Sequence, residues 1–138
     1  MNNENKRCHL EMLQEIISRM GKNSFALKGW SVGIMIAIYA FAGQSSNKAV
    51  IITLIPLIVF WILDTYYLIL ERKFRILYDE VRIKEEKDID YSMNFNNIKI
   101  KIGDVKKVSF IKIMFSKSIL PFYLVCFATT LIIYFIKF

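Results

Sequence analysis

Asp64 is the only charged residue in a 22-residue apolar run, AVIITLIPLIVFWILDTYYLIL at 49–70. A carboxylate at that depth in hydrocarbon costs about 2.5–3.5 kcal/mol on insertion scales, so it needs a partner or water. Lys28 lies at similar depth in an earlier apolar run, 24–43, where its long side chain can snorkel. Two chemistries follow. Asp64 and Lys28 can form an intramembrane polar pair that ties two helices together, or Asp64 can line a water-filled path and take part in gating. The structural pair is the simpler reading.

A second charged group follows where the run ends. Glu71, Arg72, Arg75 and Arg82 continue the same helical pattern into a polar stretch. Glu71 and Arg75 are four apart, a spacing that supports an exposed pair worth a few tenths of a kcal/mol. Together these residues could hold an acidic ligand or a partner protein, although a solvated helix face needs no such ligand. Trp30 and Trp61, with Tyr66, Tyr67 and Tyr78, suit an interfacial aromatic belt and helix packing.

No catalytic constellation is legible. The chain has no Gly-rich phosphate loop, no GxSxG, no HExxH and only one histidine, His9. Cys8 and Cys126 fall in different compartments on this reading and show no CxxC spacing. Catalytic, cofactor and metal residues are therefore expected to be absent, and the protein is expected not to be an enzyme.

The elements that must position Asp64 and Lys28 can be read from the hydropathy. The chain has 138 residues, is 55% apolar and has a mean hydropathy of +0.38. Its apolar residues cluster in 24–43, 49–70 and 119–136, each read as a transmembrane helix. The first run begins too far from the N-terminus, behind a polar helical segment, to be a cleaved signal. Residues 1–23 form a cytosolic amphipathic helix with Leu10, Leu13, Ile16, Ile17 and Met20 on one stripe. Gly21-Lys22-Asn23 offers a cap or bend. The stripe can lie on the inner leaflet or pack on the extension of the second span; its charge-balanced polar face favours packing. Gly29, Gly33 and Ala37 recur every four residues on the first span and suit close helix packing. Pro56 predicts a kink in the second span, with Thr53 satisfying the freed backbone.

Residues 71–118 make a cytosolic module. Its first part continues the second span without Gly or Pro. At 91–102 the apolar period becomes two: Tyr91, Met93 and Phe95, then Asn96-Asn97, then Ile98, Ile100 and Ile102. That pattern predicts a β-hairpin. Residues 104–117 read as a basic amphipathic helix capped by Asp104, with Val105, Val108, Ile111 and Phe115 inward and its lysines on anionic headgroups. The fold class is thus a mainly α membrane protein with three transmembrane helices, a cytosolic helical extension and a small β-hairpin.

The net charge of +7 carries topological information. Lys6, Arg7, Arg19, Lys22 and Lys28 precede or open the first span, Lys48 is alone in the short loop, and twelve of the 19 Lys and Arg lie between the second and third runs. The positive-inside rule then puts the N-terminus and the module in the cytoplasm and the C-terminus outside. Acids interleave with these bases, so no nucleic acid is expected as a partner. The expected partners are the lipid bilayer, further copies of the chain, and a soluble cytosolic protein or small-molecule trigger.

LQEIISRM at 13–20, NSFALKGWSV at 23–32 and FWILDTYYLILERKFRILYDEVR at 60–82 resemble a family of small bacterial multi-span membrane proteins. Its members carry KGW at the first span and W-x-L-D-x-Y-Y-L-x-x-E-R-x-F-R-x-L-Y-D across the second. The resemblance covers about the first 90 residues. The matching positions are Lys28, Trp30, Trp61, Asp64, Tyr67, Glu71, Arg72, Phe74, Arg75, Tyr78 and Asp79. Some members occur among mobile and anti-phage defence genes, where small multi-span proteins commonly act as membrane-disrupting effectors. The resemblance therefore implies an oligomeric inner-membrane effector, triggered through its cytosolic module. The alternatives are a membrane anchor or adaptor for a soluble partner and a small transporter subunit.

Overall fold

The computed structural model describes residues 4–42, 48–94 and 108–136. Helix α1, Glu4–Ala42, is 39 residues long and pairs antiparallel with α3, Leu54–Ile83, across the short helix α2, Lys48–Ile52. A 3₁₀ turn at Glu86–Asp88 ends the α3 excursion. A short helix α4, Phe110–Met114, leads into α5, Leu120–Ile136.

Helix α1 is continuous through the predicted bend. Gly21 does not adopt positive φ, so it supplies no left-handed cap. The reason is packing on both sides of it. Towards the N-terminus, Leu13 is buried in a cluster with Leu77, Val81 and Ile89. Towards the C-terminus, Met35 joins Leu57, Ile113, Ile119, Tyr123 and Cys126 in a second cluster. Each cluster holds α1 on α3, and a helical glycine between them costs only about 1 kcal/mol. At ~1.5 Å per residue α1 is about 58 Å long, roughly twice a hydrocarbon core.

Pro56 acts at the start of α3. It has no N–H for the Ile52 carbonyl, and the helix is interrupted at Thr53 between α2 and α3. Thr53 supports the break: its N–H and its hydroxyl both donate to the Val50 carbonyl, at 3.2 and 2.7 Å.

Among the described residues two helices are long and apolar enough to cross a membrane, within Glu4–Phe41 and Val50–Ile83. Only 11% and 28% of their most apolar 18-residue windows is buried inside the protein, unlike the core helix of a soluble domain. The expected third span is corrected: α5 has 17 residues, about 26 Å, short of the ~20 residues that a span requires. The placement of the C-terminus outside rested on that span and loses its basis. Helix α5 instead lies along the apolar parts of its neighbours, with Tyr39 of α1 hydrogen-bonded to Thr130 at 2.6 Å.

The β-hairpin is also corrected. No strand occurs among the described residues, and 91–94 has no regular structure. Tyr91 sits at φ 53°, which no strand residue adopts. Local hydrogen bonds replace a ladder: the Ser92 N–H donates to Asp90 Oδ1 at 3.1 Å, and the Asn94 N–H to Ser92 Oγ at 3.1 Å. The predicted turn and second strand, 95–102, lie outside the described residues, as does the Asp104 cap. In the described part of the predicted basic helix, 108–117, only Phe110–Met114 is helical, and it buries Ile113 while Ile111 and Phe115 are exposed.

Candidate functional site

A polar node lies between the two apolar clusters. Asp64 is placed on the α1-facing side of α3, and Ser24 and Lys28, one helical turn apart, project from α1 onto it. Lys28 Nζ is 2.5 Å from Asp64 Oδ2. Ser24 donates its hydroxyl hydrogen bond to Asp64 Oδ1 and accepts one from Lys28 Nζ at 3.1 Å. The Asp64 side chain has no exposure, whereas Lys28 keeps 21%. The carboxylate is thus the sequestered partner and the ammonium the one near the surface. The buried hydroxyl of Tyr123, from α5, lies close enough to feel the Asp64 charge.

Trp61, one turn before Asp64 on α3, ties α4 and α5 to this level. Its indole N–H donates to the Met114 carbonyl at 3.1 Å. Its ring stacks on Tyr123 at 5.6 Å and meets Phe115 and Phe127 edge-on. It is therefore a packing residue inside the protein more than a headgroup anchor. Trp30 is exposed and stands away from the node. Thr65, beside Asp64, is buried and donates to the Trp61 carbonyl at 2.8 Å.

Gly29, Gly33 and Ala37 are exposed, and a Cβ built on either glycine meets nothing within 4 Å. Their face is therefore not the one α1 turns to α3. Glu71 and Arg75 form the i,i+4 pair at 2.8 Å, with Glu71 towards Gly21 of α1. Arg72 is half-buried on the same helix, and Arg82 pairs with Asp79 at 3.4 Å. Asp64 and Lys28 are thus in contact, while the candidates at Glu71, Arg72, Arg75 and Arg82 are distributed along α3, with Glu71, Arg75 and Arg82 in local pairs.

Three contributors were not singled out from the sequence. Ser24 had a usable signal, since it precedes Lys28 by four and must share its face. Tyr123 had none, because its approach depends on how α5 folds back. Lys6 is the third: its ammonium donates to the carbonyls of Arg82 and Lys84, at 3.0 and 2.6 Å, and caps the C-terminus of α3.

No group of three or more His, Cys, Asp or Glu suited to a metal occurs among the described residues. The node holds two opposite charges bridged by a hydroxyl and couples two helices. No protein-family model, no curated protein and no solved structure matches this chain.

Proposed function

We propose that the protein is a non-enzymatic effector of a bacterial cytoplasmic membrane, which assembles into oligomers and perturbs membrane integrity when its cytosolic end is engaged. The observation that carries this reading is the charged node of Ser24, Lys28 and Asp64, shared by two rods that run unbroken into the polar end of the molecule. Engaging Leu13 and Leu77 at one end shifts the same helices that meet at Asp64. Movement of α1 against α3 at the cytosolic end would in this way be carried to the node within the bilayer.

Assembly follows from size. Two spanning helices cannot enclose an aqueous path, so any conductance requires several chains. The open face at Gly29, Gly33 and Ala37 is suited to close approach by another helix. In this reading the N-terminus and the end of α3 are cytoplasmic, a topology that the excess of Lys and Arg before the first span over the single Lys48 of the loop supports. The defence setting rests on the sequence resemblance alone.

The competing reading is a membrane anchor or adaptor. It draws on the exposed, mixed-charge end of α3 around Asp79, Arg82, Glu85 and Lys87, which a soluble partner could engage. Purification of the full chain after detergent solubilisation separates the two. A self-oligomer supports the effector; a stoichiometric soluble partner on a monomeric chain supports the adaptor.

A further inference from the structure

An open cleft of about 510 Å³ lies at the polar end of the α1–α3 helical hairpin, away from the apolar parts of both helices. Asn5, Cys8, His9 and Met12 of α1 form one wall, and Tyr91 and Met93 the other. The α1 residues stand at i, i+3, i+4 and i+7, so the helix presents them on one face. The chain contains two cysteines, one histidine and six methionines in 138 residues, yet four of the six described side chains lining this cleft are drawn from those nine.

His9 provides an independent observation. It is 4% exposed, and its Nε2 is buried without a hydrogen-bond partner. A buried nitrogen left unpaired is destabilising, and a ligand bound to it would remove that penalty. Tyr91 holds the imidazole edge-on, with ring centroids 5.5 Å apart and planes at 77°. Cys8 is an exposed free thiol. Met12 and Met93 bring thioethers on flexible side chains that can close over an ion.

We infer that this cleft binds a soft monovalent metal cation, Cu(I), through the Cys8 thiolate, His9 Nε2 and the Met12 and Met93 thioethers. Among the described residues no carboxylate lines the cleft, which disfavours hard cations such as Mg²⁺ and Ca²⁺. Among the described lining residues Zn²⁺ would find only Cys8 and His9 of its usual ligands. Thiolate, thioether and imidazole together are the donor set of a soft ion. Binding forms the metal–sulfur bond with Cys8 and releases the thiol proton to solvent. The inference does not depend on the membrane-effector reading, since it concerns binding alone.

The test is a competition titration on the full-length protein in detergent, reduced and under anaerobic conditions, with Cu(I) supplied as its complex with a chromophoric chelator. The wild type should withdraw one equivalent of Cu(I) per chain, and a tenfold excess of Zn²⁺ should not displace it. Cys8→Ser and Met93→Leu should each weaken binding by at least ~10-fold, the scale seen for changes around metal sites. Circular dichroism should show unchanged helix content in Cys8→Ser, whose side chain is exposed. Cys126→Ser, at the buried cysteine on α5, should bind as the wild type does. Retention of all Cu(I) by the chelator, undiminished binding by Cys8→Ser, or loss in Cys126→Ser alone would overturn the inference.

Discussion

Lys28 reaches Asp64 from the more exposed side, placing its ammonium 2.5 Å from a carboxylate that has no exposure of its own. This asymmetry predicts unequal costs for breaking the pair. Lys28→Met strands a fully buried acid, with a penalty in the ~3–5 kcal/mol range for an orphaned buried charge. Asp64→Leu leaves an ammonium on a long stem that can turn to the interface, and should cost less. The double variant Lys28→Met/Asp64→Leu should recover most of the loss, because an apolar pair of similar volume has no charge to desolvate. Thermal unfolding of the three variants in detergent provides the comparison. Equal losses for the two single variants would contradict the asymmetry.

Trp61 joins α3 to the segment carrying α4 and α5 through one hydrogen bond and a stacked ring. Trp61→Phe should lower stability by about 1–3 kcal/mol, since the Met114 carbonyl loses its donor and the stack on Tyr123 shrinks. Limited proteolysis should show faster cleavage between α3 and α5, with α1 and α3 unaffected.

Lys6 closes the far end of the hairpin by donating to the Arg82 and Lys84 carbonyls. Lys6→Met removes both bonds and a cation at a helix C-terminus, a site worth about 0.3–1 kcal/mol when exposed. Hydrogen exchange should quicken at residues 82–84 and in the first turn of α1, without change near Asp64. Lys6→Arg should restore most of the protection.

Gly21 tests the continuity of α1. An added Cβ would meet Glu71 Oε2 at 3.6 Å, an ordinary contact. Gly21→Ala should therefore raise stability by about 0.5–1 kcal/mol, as expected for a glycine in an unbroken helix. A loss in the melting measurement would indicate that the chain needs a bend there.

The sequence made the apolar hairpin legible because its signals are local. The run at 49–70, its Asp64 and the amphipathic stripe through Leu13 and Ile17 each depend on residues within a few turns. The predicted bend at Gly21-Lys22-Asn23 failed for a non-local reason: clusters on both sides hold the helix straight. The two-residue alternation at 91–94 resembled a strand, yet Asp90 and Ser92 offer the backbone competing local bonds, and Tyr91 takes a left-handed conformation. The apolar run at 119–136 resembled a span by composition, but its helix begins only at Leu120, after Ile119 has been drawn into the core with Ile113 and Tyr123. The Cys8–His9 cleft was invisible because Met93 comes from a distant segment.

The most direct measurement is collapse of an imposed potassium diffusion potential in liposomes that contain the purified chain, followed with a potential-sensitive dye across a range of protein-to-lipid ratios. The account predicts depolarisation that rises more steeply than the first power of protein density and is strongly reduced by Asp64→Leu at equal incorporation. A potential that persists at every density, or a depolarisation that is the same for Asp64→Leu, would contradict it.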